Sequence, residues 1–182
     1  MCGIAGIISN DISRLDFINL MTSKLNHRGP DNKSTWIDPD YPIGLGHTRL
    51  SILDLREAAN QPFHSEHKRW VITFNGEIYN HKEIRNLLNR EKTFKWKTSS
   101  DTETIVNSIE HFGLRKTLDI VNGMFAIGAW DRREKKLFLL RDRIGEKPIY
   151  FCKIKNDFLF SSELKSITSH PEFKAEINKQ SL

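Results

Sequence analysis

Cys2 directly follows the initiator methionine, and its position gives it unusual chemical potential. Cysteine is small enough for aminopeptidases to remove Met1, which would leave a thiol and a free α-amine on one residue. An α-amine titrates at roughly 7.7–8.0 and a free thiol near about 8.5, so the two groups can serve as base and nucleophile. The same residues also fit an ordinary first strand that happens to begin with cysteine, and the rest of the sequence must decide between the two interpretations.

Four further stretches hold more polar and conformationally special residues than folding alone requires. They are His27-Arg28-Gly29-Pro30-Asp31, His47-Thr48-Arg49-Leu50-Ser51-Ile52, Asn75-Gly76-Glu77-Ile78-Tyr79-Asn80 and Ser100-Asp101-Thr102-Glu103. Taken singly, each has a structural explanation. Arg28 and Asp31 could form a surface ion pair worth at most ~1 kcal/mol. Asn75-Gly76 could be a hairpin turn, and Asp101 a helix cap.

Hydrophobic periodicity predicts the elements that would carry these stretches in the first half of the chain. The apolar run behind Cys2, residues 4–8, predicts a buried strand, and residues 13–26 have helical spacing. Residues 43–55 alternate like a strand that runs into a loop. Residues 69–75 predict another strand, which Asn75-Gly76 would close with a turn.

In the second half, helices give way to short strands. Asn80 with Glu83 resembles a capping box, Asp101 would cap a second helix, and a short helix is predicted over 114–121. Residues 124–130, 136–141, 148–152 and 158–161 predict an antiparallel meander, and a helical turn follows from Glu163. This order favours an α+β fold with a two-layer sheet core and helices outside.

Composition excludes several classes of protein. A length of 182 residues predicts one domain. The net charge of +5 comes from scattered basic residues, which argues against a nucleic-acid partner. No apolar run could span a membrane, and Asn10, Asp11 and Arg14 interrupt any secretory signal, so we expect a cytoplasmic protein. Two cysteines, Cys2 and Cys152, could pair but are too few for a disulfide framework, and no metal-type spacing joins them to histidine.

Together, the motifs resemble the glutaminase domain of the class II glutamine amidotransferases, which are N-terminal nucleophile hydrolases beginning with Cys-Gly-Ile. The motifs of this sequence look most like those of glutamine-hydrolysing asparagine synthetases. Besides the start, the resemblance rests on His27-Arg28-Gly29-Pro30-Asp31, Arg49-Leu50-Ser51-Ile52-Leu53-Asp54, Asn75-Gly76-Glu77-Ile78-Tyr79-Asn80 and Arg141-Asp142-Arg143-Ile144-Gly145-Glu146-Lys147-Pro148-Ile149-Tyr150. It implies an α+β, four-layer αββα sandwich of mainly antiparallel sheets.

The resemblance also implies the catalytic roles. Cys2 Sγ would attack the side-chain amide carbon of L-glutamine, with its own α-amine as the base, acting through a water molecule. Asn75, through its side-chain amide, and Gly76, through its backbone N–H, would stabilise the tetrahedral oxyanion. No metal is expected. His27 and His47 would be structural hydrogen-bonding groups, because the amine already serves as the base.

Substrate binding follows from the same resemblance. Arg49 would receive the α-carboxylate of glutamine, and Asp101 with Glu77 would receive its α-ammonium group. Backbone groups near Leu50 and Ile52 would complete the pocket.

The resemblance covers residues 1–165, which we expect to be the glutaminase domain, with residues 166–182 starting a linker toward an absent synthetase domain. ATP and Mg²⁺ would belong to that domain, which carries a Ser-Gly-Gly loop that this sequence lacks. We therefore expect a shortened chain that supplies ammonia for ATP-dependent amidation of aspartate, rather than a stand-alone glutaminase with a separate synthetase partner. A different ammonia acceptor, a non-catalytic glutamine-binding relative and a homodimer all stay open.

Overall fold

The computed structural model describes residues 1–176, and within them the chain alternates between two sheets and their covering helices. The strands are β1 (Gly3–Ile8), β2 (Asn32–Ile37), β3 (Ile43–Arg49), β4 (Phe63–His64), β5 (Trp70–Ile78), β6 (Gly123–Asp131), β7 (Lys136–Arg141), β8 (Tyr150–Ile154) and β9 (Asp157–Ser161). The α-helices are α1 (Phe17–Ser23), α2 (His81–Glu91), α3 (Asp101–Phe112), α4 (Leu114–Ile120) and α5 (Leu164–Ile167). Short 3₁₀ segments cover Ile12–Asp16 and Glu57–Ala59.

The strands form two antiparallel sheets that pack face to face. The first sheet has the order β2-β3-β1-β9-β8 and the second the order β4-β5-β6-β7. One apolar cluster joins the two sheets, a second lies between the first sheet and α1 with α5, and a third lies between the second sheet and α2, α3 and α4. The predicted α+β, four-layer αββα sandwich of mainly antiparallel sheets is therefore confirmed.

Phe160 occupies the centre of the space between the sheets, where it is fully buried. A Cβ atom added at Gly6 of the first sheet would lie 1.9 Å from its ring, and one added at Gly128 of the second sheet 2.4 Å from it. Both glycines thus leave room for one large aromatic ring, and this ring sets how closely the sheets approach.

The prediction that Asn75-Gly76 closes a strand is wrong. Both residues lie inside β5, which continues to Ile78. A Cβ at residue 76 would lie 2.1 Å from Met124 O on the neighbouring strand β6, so glycine is required by strand packing and not by a turn. Two short strands, β2 and β4, had no predicted counterpart.

The four strands after residue 122 do not form one meander. Strands β6 and β7 pair in the second sheet, whereas β8 and β9 pair in the first. The loop 142–149 crosses between the sheets because the Asp142 carboxylate accepts N–H bonds from Phe125, Gly145, Glu146 and Lys147, at 2.6–3.1 Å. Burying this carboxylate raises its pKa, but the four N–H bonds outweigh that effect and leave the pKa at about 2.

Helix limits and caps also differ from the predictions. The helix expected over 13–26 is a 3₁₀ turn followed by α1, which ends at Ser23. Ser100, not Asp101, caps α3 by accepting from Glu103 N. Asn80 occupies the N-cap position of α2, but its side chain bonds Asn122 N and Ile120 O, so no capping box forms. The helices predicted over 114–121 and from Glu163 are confirmed as α4 and α5.

The segment after β9 returns to the body of the fold. In α5, Ser166 Oγ donates to Met21 O at 2.9 Å, and Arg14 bonds Asp157 at 2.8 Å and Glu172 at 2.7 Å. The division between residues 165 and 166 stays a prediction, and residues 177–182 of the expected linker lie outside the described residues. Among residues 1–176, no helix has the length and apolar character needed to cross a membrane.

Replacing Phe160 by alanine should reduce the free energy of unfolding by about 3–5 kcal/mol, because it empties the space between the sheets. Phe151, its cross-strand partner in β8, is 65% exposed and is the matched control. Phe151→Ala should cost less than about 1 kcal/mol. Urea denaturation of both variants measures the difference, and equal losses would contradict the central role of Phe160.

Candidate functional site

One pocket contains every site residue that the sequence predicted. It opens where the start of β1, the end of β3, the last part of β5 and the first turn of α3 converge. The predicted residues that line it are Cys2, Arg49, Leu50, Ile52, Asn75, Gly76, Glu77 and Asp101. They come from four separate parts of the chain, and the two sheets bring them together.

Hydrogen bonds fix both the thiol and the backbone carbonyl of Cys2. Its Sγ lies 3.4 Å from Leu50 N and 3.7 Å from Leu50 O, and its carbonyl oxygen accepts from Arg28 Nε at 2.9 Å. Glu163 holds Arg28 in turn, at 2.8 Å. Burial raises the pKa of the Cys2 thiol, while the Leu50 hydrogen bond opposes that rise. The thiol therefore needs a nearby base to become a nucleophile.

In the chain with Met1 attached, the Cys2 nitrogen is an amide and cannot serve as that base. Met1 itself lines the pocket and is 55% exposed. Only removal of Met1 would place a basic nitrogen on the residue that carries the thiol.

Strand β5 presents a row of N–H groups to the pocket. Phe125 N and O bond the carboxylate and N–H of Asp142 on the far side of β6, so Gly76, which is paired with Phe125, directs its own N–H away from β6. On this open edge Phe74 N donates to Gln61 Oε1 at 2.6 Å and Ile78 N donates to Asp101 Oδ2 at 3.0 Å. Between them, Gly76 N–H has no partner within the described part of the chain.

Asn75 adds a second unpaired donor. The side chain is 1% exposed, and its Nδ2 has no hydrogen-bond partner among residues 1–176. Leaving a buried amide unpaired costs about 1–3 kcal/mol, which folding gives no reason to accept. The Asn75 amide and the Gly76 N–H are thus two donors in the wall of the pocket that Cys2 also lines.

Arg49 retains part of its hydrogen-bonding capacity. Its Nη1 donates to Arg56 O at 2.9 Å and to Asn60 Oδ1 at 2.8 Å, and its Nη2 donates to Asp54 O. Of the five N–H donors of a guanidinium group, Nε–H and one N–H of Nη2 remain without a partner in the described chain. These two N–H groups can donate to a carboxylate, and the three hydrogen bonds already made hold the guanidinium group in place.

Asp101 gives the pocket a buried carboxyl group. It is 5% exposed, and burial raises its pKa to about 6, against the effect of the N–H bond from Ile78. The charge of neighbouring Glu77 contributes to the same rise. A ligand cation would favour the ionised form of Asp101, so this end of the pocket suits an ammonium group.

The loop 50–56 forms the outer rim. Ile52 is 73% exposed, so its side chain is not part of the buried wall, and Leu50 meets Cys2 through its backbone. Asp54 fastens this loop to the residue before the α3 cap by accepting from Ser99 N at 2.8 Å and from Ser99 Oγ at 3.1 Å. Asp31 accepts from Ser51 N at 2.7 Å on the other side.

Gln61 is a pocket residue that the sequence did not reveal. Its carboxamide bonds both Phe74 N and Phe74 O, and donates to Thr102 Oγ1 at 3.2 Å. Gln61 therefore joins β5 and α3 behind the pocket. His47 supports the same carbonyl at 3.1 Å, and burial lowers its pKa to about 3, so it is neutral at physiological pH. No sequence signal separates Gln61 from a surface glutamine.

Lys147 also lines the pocket, although the sequence assigned it no role. It lies in the stretch 141–150 that contributed to the resemblance. The signal that could have found it is a lysine in a turn rich in glycine, proline and charged residues between two strands.

One group of potential metal ligands lies elsewhere. Asp157, His170 and Glu172 place their ligand atoms within 4.8 Å of one another. Arg14 bonds both carboxylates there, and Lys155 bonds Glu172 at 2.6 Å, so side-chain cations already balance the negative charge of this cluster. The cluster is an ion-pair network that holds the segment after α5.

Comparison with solved structures identifies the fold. A glutamine phosphoribosylpyrophosphate amidotransferase from B. subtilis, complexed with ADP and GMP, superposes with a TM-score of 0.74 at 17% identity, over 91% of this chain and 43% of that chain. An allosteric regulatory enzyme of purine biosynthesis gives a TM-score of 0.75 over the same shares. The fold is that of the N-terminal nucleophile hydrolases.

The sequence comparisons are more specific. The family model described as glutamine amidotransferase domain matches residues 1–182, and the chain belongs to this family. Asparagine synthetase (glutamine-hydrolyzing) 2 of Bacillus subtilis is 40% identical over 98% of this chain, and a putative asparagine synthetase of Methanocaldococcus jannaschii 37% identical over 100%. Amidase chry2 of Gibberella zeae is 36% identical over 91%. This chain spans 24%, 38% and 26% of the length of these three relatives.

Asn75 and Gln61 should respond differently to truncation. Asn75→Ala should change the free energy of unfolding by less than about 1 kcal/mol, because its side chain loses no hydrogen bond to the described residues. Gln61→Ala, the matched carboxamide control in the same wall, should cost about 2–3 kcal/mol because it leaves Phe74 N–H unpaired. Urea denaturation measures both, and a larger loss for Asn75 would give that residue a structural role.

Proposed function

We propose that this chain hydrolyses L-glutamine to glutamate and ammonia through a thioester on Cys2. The observation that carries the proposal is the pair of unpaired donors, Asn75 Nδ2 and Gly76 N–H, in the pocket that the half-buried Cys2 thiol also lines. Arg49 and Asp101 add opposite charges to the same pocket, which match the two charged groups of an amino acid.

The first chemical step begins when Met1 has been removed. The Cys2 α-amine takes the thiol proton, and Sγ forms a bond to the side-chain carbonyl carbon of glutamine. The carbonyl oxygen becomes an oxyanion that Asn75 Nδ2 and Gly76 N–H stabilise. The protonated amine then donates its proton to the leaving nitrogen, the carbon–nitrogen bond breaks, and ammonia departs.

In the second step, water attacks the thioester. The α-amine accepts a proton from the water as the water oxygen bonds to the acyl carbon, and the same two donors stabilise the second oxyanion. The carbon–sulfur bond then breaks, the protonated amine returns its proton to Sγ, and glutamate leaves. The α-carboxylate of the substrate binds the free edge of Arg49, and its α-ammonium binds Asp101 with Glu77 nearby. Backbone groups at Leu50 and Ile52 border the aliphatic part of the side chain.

We propose aspartate as the final acceptor, amidated by an ATP- and Mg²⁺-dependent synthetase domain in the same longer protein. The relatives named asparagine synthetase support aspartate as the acceptor. This chain corresponds to only part of their length, so the amidating domain would lie outside it. We further propose a cytoplasmic location, with no nucleic-acid or membrane partner. No cofactor is assigned to the glutaminase site itself.

A second candidate is an amidotransferase domain that serves another acceptor, which the Gibberella zeae relative named as an amidase favours. Acceptor choice would lie outside the residues described here. Assaying the longer protein with aspartate, ATP and glutamine separates the two candidates, because only the first forms asparagine.

Glutamate release from glutamine is the direct test of the glutaminase proposal. Protein whose Met1 has been removed, verified by intact mass, should release equal amounts of glutamate and ammonia. Cys2→Ala should abolish the reaction, and Asn75→Ala should lower kcat by about 10²–10³-fold. Protein that keeps Met1 should be inactive, since it lacks the amine. Binding of glutamine without turnover by the Met1-free chain would instead support a non-catalytic glutamine-binding relative.

Asp101 should make glutamine binding depend on pH. Its pKa of about 6 means that its ionised fraction falls as the pH drops from 7 to 5, so the KM for glutamine should rise over that range. Asp101→Asn should bind glutamine weakly at every pH and lose this dependence. Asp119→Asn, an exposed change on α4, should keep the wild-type profile. A KM independent of pH in the wild type would contradict the assignment.

A further inference from the structure

Lys147 is a buried cation without an anionic partner. The residue is 8% exposed and lines the Cys2 pocket. Its Nζ contacts Met1 Sδ at 3.3 Å, and no carboxylate oxygen of residues 1–176 lies within 4 Å of it. A thioether is a weak acceptor, and a buried ammonium group is costly without a stronger partner.

The loop that carries Lys147 is built to hold it in this position. Lys147 N donates to Asp142 Oδ2 at 3.1 Å, and Lys147 O accepts from Arg141 Nε at 3.0 Å. Gly145 turns the loop with a φ of +79°, a conformation that side chains rarely adopt. Both backbone groups of Lys147 are thus fixed by the same side chains that shape the turn, so the Cα atom of Lys147 is held at the edge of the pocket.

The other cations around the N-terminus already have partners, and Arg28 Nε also donates to Cys2 O at 2.9 Å. Arg28, from the turn after α1, is paired with Glu163, and Arg49, at the end of β3, bonds three oxygens of the rim. The acidic residues that line the pocket are Asp54, which is paired with Arg56 at 2.6 Å, and Glu77 of β5 with Asp101 of α3, which form the proposed ammonium subsite.

We propose that Lys147 is a positioning residue that keeps the Cys2 α-amine in its neutral, basic form after Met1 has been removed. Loss of Met1 takes away the one hydrogen-bond acceptor that Lys147 Nζ has among residues 1–176, and the new terminus lies in the pocket that Lys147 also lines. Two positive charges that line one pocket repel each other, so proton binding to the α-amine becomes less favourable. This inference rests on the proposed role of Cys2 as an N-terminal nucleophile.

The chain allows the α-amine to be observed without relying on turnover. It contains two cysteines, so ¹³C-labelled cysteine gives signals from Cys2 and Cys152 alone, and Cys152→Ser assigns them. The pH titration of the Cys2 Cα signal in Met1-free protein reports the α-amine. We expect its pKa to lie below the ordinary range of roughly 7.7–8.0.

Lys147→Met should raise the pKa of the α-amine by about one unit, while Lys147→Arg should retain the lowered value. The acid limb of the kcat/KM profile for glutamine should move upward by the same amount, with KM little changed. Lys153→Met, which removes an exposed lysine of β8, should leave the titration unchanged. Lys147→Gln is the second neutral variant if Lys147→Met does not fold.

An α-amine pKa that is the same in wild type and in the neutral variants overturns the proposal, whatever happens to the rate. A raised KM with an unchanged amine pKa also overturns it, since Lys147 would then be a substrate contact. A lowered α-amine pKa that depends on Lys147 in a chain without glutaminase activity supports the proposal and refutes the proposed function instead.

Discussion

The site depends on one constraint, the open edge of strand β5. This strand pairs with β6 throughout, but with β4 only at Ile72 and Val71, so its later N–H groups need partners from outside the sheet. Gln61 and Asp101 satisfy the groups on either side, and the N–H of Gly76 between them is left for a ligand. An unpaired strand edge is usually a liability, and here it provides a donor for an oxyanion.

Three carboxylates, the exposed Asp31 and the buried Asp54 and Asp142, hold the loops that surround this edge. Asp31 bonds the rim at Ser51, Asp54 fastens the rim to Ser99, and Asp142 gathers four N–H groups of the crossing loop. In these loops, which lack regular secondary structure, each carboxylate accepts charge-assisted hydrogen bonds, and such bonds are stronger than neutral ones. These hydrogen bonds therefore hold the backbones of Leu50 and Lys147 in fixed positions beside the pocket.

Several groups in the pocket oppose folding rather than assist it. The Asn75 amide is buried without a partner, Asp101 resists ionisation, and Lys147 lacks an anion. Each would be easier to explain as a solvated surface group, yet all three line one cavity. Groups that destabilise the folded state and lie together in one cavity are better explained by ligand binding than by a contribution to stability.

The sequence by itself determined the type of most elements and the family resemblance. That resemblance, carried by short motifs such as Arg49-Leu50 and Asn75-Gly76-Glu77, supplied the residues of the candidate site. The sequence misjudged Asn75-Gly76 as a turn, since only the backbone of β6 shows that Gly76 is needed inside a strand. Gln61, Lys147 and the split of the last four strands between two sheets were decided by the tertiary structure alone. Burial, unpaired donors and charge isolation arise only when distant segments meet, and no local pattern records them.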